Sequence, residues 1–332
     1  MKKIMKALAL FSGGLDSSLA IKIIQAQKIQ ILALNFLTPF SALENRRKVE
    51  QIARELGVNL QIEFLGEEYL EIVKHPKYGY GKHLNPCLDC RILMLKKAKE
   101  VMEKINASFV ITGEVVGQRP MSQYKSALQL VERESGLKEL IVRPLSAKLL
   151  TPTIPEKNGW IDRNSLFGIY GRARREQIEL ARQWKIKHYF SPAGGCLLTD
   201  PAFSQKISDL LAHNQFSLES IELLRLGRHF RLSPSAKLVV GRNKRENEQM
   251  LQRKREKEIY FRPVGAKGPV AVGQGEFNPS LISLAVQIIA HYCNMDLVDI
   301  EYRTSDRKEK IRSRAMEEKE IERFRVIKDE SI

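Results

Sequence analysis

The chain has only four cysteines in 332 residues. That is too few for a disulfide-stapled scaffold and points to a reducing compartment, so the expected location is cytoplasmic. No stretch reaches the roughly 18 uninterrupted apolar residues of a membrane span, so no membrane partner is expected. The opening Met-Lys-Lys runs straight into an apolar strand, which is not the layout of a signal peptide. There is no internal repeat. Two common phosphate-binding signatures are also missing, G-x-x-x-x-G-K-[ST] and G-x-G-x-x-G, which removes P-loop NTPases and Rossmann dinucleotide enzymes from consideration.

Hydrophobic residues make up 43% of the chain, ample for cores. In the first 200 residues apolar strands alternate with amphipathic helices. Strands are expected at 7–11, 31–36, 60–65, 109–112 and 140–142, with helices at 17–27, 43–56, 91–105 and 174–184. This alternation predicts an α/β fold with a doubly wound parallel sheet. At its first βα turn stands Ser12-Gly13-Gly14-Leu15-Asp16-Ser17-Ser18. Gly13 and Gly14 remove the Cβ atoms that would block close backbone approach. Ser12, Ser17 and Ser18 add hydroxyls at a helix N-terminus, whose free N–H groups and dipole favour phosphate. An ordinary βα turn needs one glycine, not two glycines, an acid and three hydroxyls.

Ser12 to Ser17 resembles the PP-loop of the ATP pyrophosphatases, a family that includes GMP synthetase, argininosuccinate synthetase and the tRNA-thiolating enzymes. The resemblance implies an adenine-nucleotide alpha hydrolase-like fold and a two-step reaction. An acceptor oxygen attacks the α-phosphate of ATP and pyrophosphate leaves; a nucleophile then displaces AMP. It also implies that ATP and Mg²⁺ meet Ser12, Gly13, Gly14, Asp16, Ser17 and Ser18, with adenine at the end of the second strand near Asn35.

Cys87 and Cys90 form a C-x-x-C ahead of the helical pattern at 92–105, and Cys196 closes the glycine turn Ser191-Pro192-Ala193-Gly194-Gly195-Cys196. Three thiolates suit a 4Fe-4S cluster with one open iron better than a closed zinc site, which needs four ligands. Two other readings stay open: a persulfide-carrying cysteine with a resolving partner, and a structural metal or plain thiols. Cys293 lies in an apolar helix and is expected in a core.

After the apolar strand at 109–112 comes Thr112-Gly113-Glu114-Val115-Val116-Gly117-Gln118, with Ser122-Gln123 beyond it, where ligands of open α/β sheets bind. The block resembles the T-G-E-x-x-G-Q-x-x-S-Q segment of the tRNA 4-thiouridine synthetase family, and Arg143-Pro144-Leu145 with Lys148 resembles that family's R-P-L block. With the PP-loop, the resemblance covers residues 1 to 200 in order. It implies Thr112, Gly113, Gln118 and Lys148 at the nucleotide and Asp16, Cys87, Cys90 and Cys196 in catalysis. That family usually carries an RNA-binding region before the loop, whereas only Met1 to Lys6 precede it here. The three-cysteine pattern is closer to the iron-sulfur tRNA thiolases, and no rhodanese domain follows.

The net charge of +16 is segregated. Residues 225–275 hold 13 Lys/Arg against 4 Asp/Glu, and residues 303–328 hold 10 against 6, leaving only +3 for the other 255 residues. A basic C-terminal third is what counterion release from a phosphate backbone requires. Within it, Lys237 to Asn243 followed by Glu246-Asn247 resembles the start of the RNA-binding module of the NFACT proteins, and the pattern predicts a small α+β domain. Arg242, Lys244, Arg245, Arg253, Lys254 and Arg255 are the candidate RNA contacts.

The expected organisation is a catalytic domain at 1–202, a helical connector at 203–226, a basic RNA-binding domain at 227–302 and a charged tail at 303–332, surface helix or disordered. The expected function is ATP-dependent tRNA sulfur transfer, with adenylation of a base carbonyl, a uridine foremost. Sulfur would come from a cysteine desulfurase, a sulfur carrier protein or free sulfide, and a homodimer is an option. Two rival classes remain. A small-molecule PP-loop ligase would need neither the basic third nor three cysteines, and a non-catalytic RNA-binding factor would not need an intact loop.

Overall fold

The computed structural model describes residues 5–41, 45–190, 196–253 and 255–327. The chain divides into two compact units, Met1–Thr199 and Asp200–Ile332.

The first unit is built on a five-stranded sheet in which every pair is parallel. In chain order it runs β1 (Lys6–Leu10), α1 (Leu15–Gln25), β2 (Gln30–Leu37), α2 (Asn45–Leu56), β3 (Asn59–Phe64), α3 (Glu67–Lys74), α4 (Cys87–Lys104), β4 (Phe109–Ile111), α5 (Lys125–Ser135) and β5 (Ile141–Val142), then the short α6 (Ile154–Lys157) and α7 (Arg175–Gln183). The strand order is β3-β2-β1-β4-β5. Strand alternation explains the two layers. Ala7 and Ala9 of β1 face a core shared with α1, α2 and α7, through Leu19, Ile52 and Leu180 among others. Leu8 and Leu10 face the opposite core, formed with Leu95 and Ala98 of α4 and Val131 of α5. The winding therefore reverses between β1 and β4, and the loops leaving those two strands open onto one crevice, where such folds bind ligands. This is the doubly wound parallel sheet expected from the sequence.

The second unit begins with α8 (Pro201–Ala212) and α9 (Leu218–Leu224). It continues with β6 (Arg228–Arg231), β7 (Ala236–Val240), α10 (Lys244–Arg253), β8 (Ile259–Val264), β9 (Ala271–Gly275), α11 (Pro279–His291), β10 (Leu297–Arg303), β11 (Lys308–Arg314) and α12 (Glu318–Ile321). Its six strands pair antiparallel in the order β11-β10-β8-β9-β7-β6. One face packs on α11, through Phe230, Leu238, Phe261, Ile289 and Ile300. On the other face Leu223 of α9 and Met250 of α10 cover Val239 and Val272. Cys293 lies in the α11 core, as expected, with its thiol donating to the Ile289 carbonyl at 3.5 Å.

Two expected boundaries change. The 203–226 connector belongs to the second unit, because Asp209 of α8 pairs with Arg231 at 2.7 Å and with the buried Lys237 at 2.8 Å. The charged tail is not a separate segment. Residues 308–314 form an edge strand in full register with β10, and Ile321 is buried in the α11 core. Its charge pattern hid a strand whose alternate side chains are solvated.

Candidate functional site

The PP-loop is held by its own hydroxyls. Ser17 and Ser18 donate to the Gly14 carbonyl at 2.9 and 3.1 Å, and Ser12 accepts from the Gly14 amide at 3.3 Å. Ser18 is fully buried, so its hydroxyl shapes the helix start. Gly13 has φ +74°, and a Cβ there would lie 2.5 Å from the Phe190 ring, whose amide donates to the Gly13 carbonyl at 2.9 Å. Both facts require glycine.

Asp16 stands in the first turn of α1. One carboxylate oxygen accepts from Gln118 at 3.1 Å and from the Arg174 guanidinium at 2.9 Å. The other, Oδ1, is buried without a hydrogen-bond partner. An orphaned carboxylate oxygen beside a helix N-terminus fits a divalent cation that would itself bind polyphosphate. Gly113 completes the join. A Cβ on it would fall 2.5 Å from the Asp16 carbonyl carbon and closer still to the Ser17 nitrogen, so the loop after β4 lies directly on the PP-loop backbone.

Three expected nucleotide contacts turn out to have structural partners. Asn35 donates to the Phe11 carbonyl at 2.7 Å, which secures the ends of β1 and β2 and leaves its Oδ1 buried and unpartnered. The Thr112 hydroxyl donates to Glu114 at 3.0 Å. Lys148 donates to the Asn164 carbonyl at 3.0 Å and has no described hydrogen bond to residues 12–18. Gln118, by contrast, reaches Asp16 of the loop.

Glu114 is the hub of a buried ion network. It pairs with Arg91 at 3.1 Å and Arg143 at 2.9 Å, and Arg143 also pairs with Glu132. Burial alone would raise the Glu114 carboxyl, but Arg91 and Arg143 hold it below its ordinary value. Because Arg91 follows Cys90 on α4, the network ties the C-x-x-C helix to the loop after β4.

Cys87 opens α4, and the Cys90 sulfur accepts from the Tyr69 hydroxyl at 3.3 Å. Burial, followed by the charges of Cys90 and Cys87, pushes the Cys196 thiol up to about 11. Burial, then Cys90, Cys196 and Cys87, raise Tyr69. These mutual effects put the three expected thiols in one electrostatic neighbourhood. Burial also raises Cys87, while Arg119 and Arg91 act against it; Arg119 opposes the rise of Cys196 as well. Among the described residues no group of three or more His, Cys, Asp or Glu is placed to hold a single metal ion. Ser191 to Gly195, the glycine turn before Cys196, lie outside the described residues.

Sequence reasoning missed Arg174, Arg119, Arg91 and Asp89. Asp89 sits inside the C-x-x-C and accepts from the amides of Lys77 and Tyr78 at 3.0 and 3.1 Å, pinning the preceding loop to α4. Its position between the two cysteines was the available signal. Arg174 carried none, because its partner Asp16 is 158 residues away.

In the second unit the Gly-Arg-Asn motif is largely scaffold. Asn243 caps α10 by accepting from the Glu246 amide at 3.0 Å, and Asn247 accepts from the Val270 amide at 3.1 Å. A Cβ on Gly241 would collide with Asn247. Arg242 grips Glu246 with Nε at 3.0 Å and Nη2 at 2.6 Å. Arg253 pairs with Glu258 at 3.2 Å, and Arg255 with Glu219 and Glu222 at 3.0 and 2.8 Å. These arginines, expected at RNA, have their charge answered within the unit. Lys244 is 91% exposed, with Glu248 at 3.9 Å. Arg245 also has a partner within the protein. Lys254 lies outside the described residues.

Residues 4–148 match the family model described as thiamine biosynthesis protein (ThiI), and residues 227–325 match the one described as NFACT protein RNA binding domain. The probable tRNA sulfurtransferase of Lysinibacillus sphaericus is 28% identical over 117 residues, 34% of this chain and 28% of that protein. That of Thermococcus kodakarensis is 26% identical over 146 residues, 42% of this chain and 36% of the other. The chain thus spans about a third of the length of these relatives. A solved structure described as the U34-tRNA thiolase NcsA from Methanococcus maripaludis with its 4Fe-4S cluster aligns at 16% identity and a TM-score of 0.35, covering 67% of this chain and 71% of that one. Both resemblances read from the sequence are borne out, each over its own segment. No helix among the described residues is long and apolar enough to cross a membrane.

Proposed function

We propose that the protein is an ATP-dependent tRNA sulfurtransferase. It adenylates a base carbonyl oxygen, releases pyrophosphate, and exchanges that oxygen for sulfur as AMP leaves. The observation that carries this reading is one loop with two ends. Gln118 hydrogen-bonds Asp16 of the PP-loop, while its neighbour Arg119 acts on Cys87 and Cys196. The phosphate-binding side and the sulfur-bearing side are thus linked through one loop. A small-molecule ligase has no use for that link.

In this reading the backbone around Gly13 and Gly14 and the N-terminus of α1 hold the polyphosphate, and Arg174 and Gln118 fix the Asp16 carboxylate. Mg²⁺ held on Asp16 Oδ1 would neutralise charge that builds on the departing pyrophosphate. Arg119, exposed and acting electrostatically on Cys87 and Cys196, meets the anionic tRNA as it enters. The Glu114 network keeps α4 in register with the PP-loop, so that sulfur arrives at the adenylated carbon. The burial and number of the thiols fit a 4Fe-4S cluster on Cys87, Cys90 and Cys196, which would offer an open iron to the incoming sulfur. A second reading, persulfide transfer through two of these cysteines, draws on the same mutual electrostatic effects of Cys87, Cys90 and Cys196.

The test is tRNA-dependent pyrophosphate release. The full chain should release pyrophosphate from ATP when tRNA is added, and Asp16→Asn should not. Release that ignores tRNA but follows a small acceptor would favour the ligase.

A further inference from the structure

The sheet of the second unit is covered on one face along its length by α11 but only half covered on the other. There α9 and α10 lie over β7, β9 and the Tyr260 end of β8, leaving the rest of β8 with β10 and β11 open among the described residues. Paired residues of an antiparallel sheet share a face. Arg262 pairs with Glu301 and Glu301 with Lys310; Asp299 pairs with Arg312, Arg303 with Lys308, and Leu297 with Arg314. All of these side chains belong to the open face, because their neighbours Val298, Ile300 and Tyr302 are buried on the other.

The charge there is layered. Asp299 and Glu301 lie low, each 18% exposed, and each is shared by two cations. Lys310 and Arg312 reach Asp299 at 2.8 Å, while Arg262 and Lys308 reach Glu301 at 2.8 and 3.1 Å. These four cations are 52 to 68% exposed, and Arg303 and Arg314 are exposed beside them. Six cations thus stand over two carboxylates, and the acids hold the bases upright without cancelling them. The arginines of α10 and the segment after it show the opposite arrangement, with acids matched to them.

We propose that this open half-face, formed by β8, β10 and β11, is where the second unit holds the RNA phosphate backbone, in place of the Gly-Arg-Asn turn and its helix. The proposal rests on the tRNA reading above and assigns its docking surface. The surface is rich in cationic donors and short of exposed aromatic rings, so it grips backbone and leaves base choice to the catalytic unit.

The test uses the full chain and fluorescent tRNA titrated across salt. Lys308→Gln, Lys310→Gln and Arg314→Gln together should weaken binding roughly a hundredfold near 0.1 M salt and flatten the plot of log affinity against log salt by about two. Lys244→Gln should change affinity less than about threefold. Asp299→Asn with Glu301→Gln should tighten binding and steepen the slope, which keeps the test sound if the triple variant folds poorly. A triple-variant slope superimposable on wild type, with an unchanged melting temperature, overturns the surface, as does a loss of slope confined to Lys244→Gln. Equal competition by polyglutamate overturns it in favour of an acidic protein partner. If tRNA-dependent pyrophosphate release persists while the surface fails, the sulfurtransferase reading stands; if wild type binds no tRNA, that reading fails too.

Discussion

Replacing Gly113 with alanine tests whether the two loops of the crevice act as one site. The added methyl would sit 2.5 Å from the Asp16 carbonyl carbon, where ordinary contact begins at 3.4 Å. Its neighbours there are backbone atoms, which cannot swing aside as a side-chain tip would. The loop after β4 must therefore move off α1 by about 1 Å, the usual outcome of overpacking, at a cost of about 1 to 3 kcal/mol. For a unit of this size that lowers the melting temperature by roughly 2 to 10 °C. The same displacement pulls Gln118 away from Asp16, and a 1 Å misplacement of reacting groups can cost about 10²-fold in rate. Pyrophosphate release should fall by that factor, with tRNA affinity within about twofold of wild type. Gly57→Ala is the control for an added methyl without a clash, since nothing lies within 4 Å of a Cβ there, although its own φ of +70° carries a strain that Gly113 does not have. It should cost about 1 kcal/mol of stability and leave turnover unchanged. Wild-type turnover in Gly113→Ala would refute the contact between the loops as a functional one.

Cys87→Ala, Cys90→Ala and Cys196→Ala should each abolish iron content and sulfur transfer, whereas Cys293→Ala keeps both; iron measured per chain after anaerobic purification checks this, and activity without iron would favour the persulfide route. Glu114→Ala removes one of the two carboxylates paired with the buried Arg143, so stability should drop by about 3 kcal/mol in denaturant titration. Since Glu114 is held below its ordinary carboxyl value, its contribution is present above the unfolded value of about 4.3 and is lost as pH falls through the folded one. Melting temperatures should accordingly fall below about pH 4 in wild type, with a flatter profile in Glu114→Gln. Arg174→Ala should lower pyrophosphate release at least tenfold while the melting temperature stays within a few degrees, and an unchanged rate would remove Arg174 from the site.

The parallel sheet was legible because its signals are local. Apolar strands and amphipathic helices alternate with short links, and the glycine loop sits at the first of them. The antiparallel unit was harder to read. Lys308 to Arg314 is an edge strand with one solvated face, so it reads as a charge run, and β6 is only four residues long. At the site, Gln118, Asp16 and the three thiols were found because their neighbours in sequence make recognisable patterns. Glu114 was visible as part of a motif, yet its role as a buried hub was not, because Arg91, Arg143 and Glu132 reach it from separate elements. The arginines at and just after the end of α10 misled for the converse reason. Charge counts register Arg253 and Arg255 as basic excess, and only the fold shows that Glu258, Glu219 and Glu222 answer them.

The most direct measurement is nucleoside mass analysis of tRNA after anaerobic incubation with the full chain, ATP and sulfide, with released pyrophosphate counted in the same tube. The account predicts one thionucleoside for each pyrophosphate, both lost in Asp16→Asn. Pyrophosphate release with no sulfur in the tRNA, or no release at all, would contradict it.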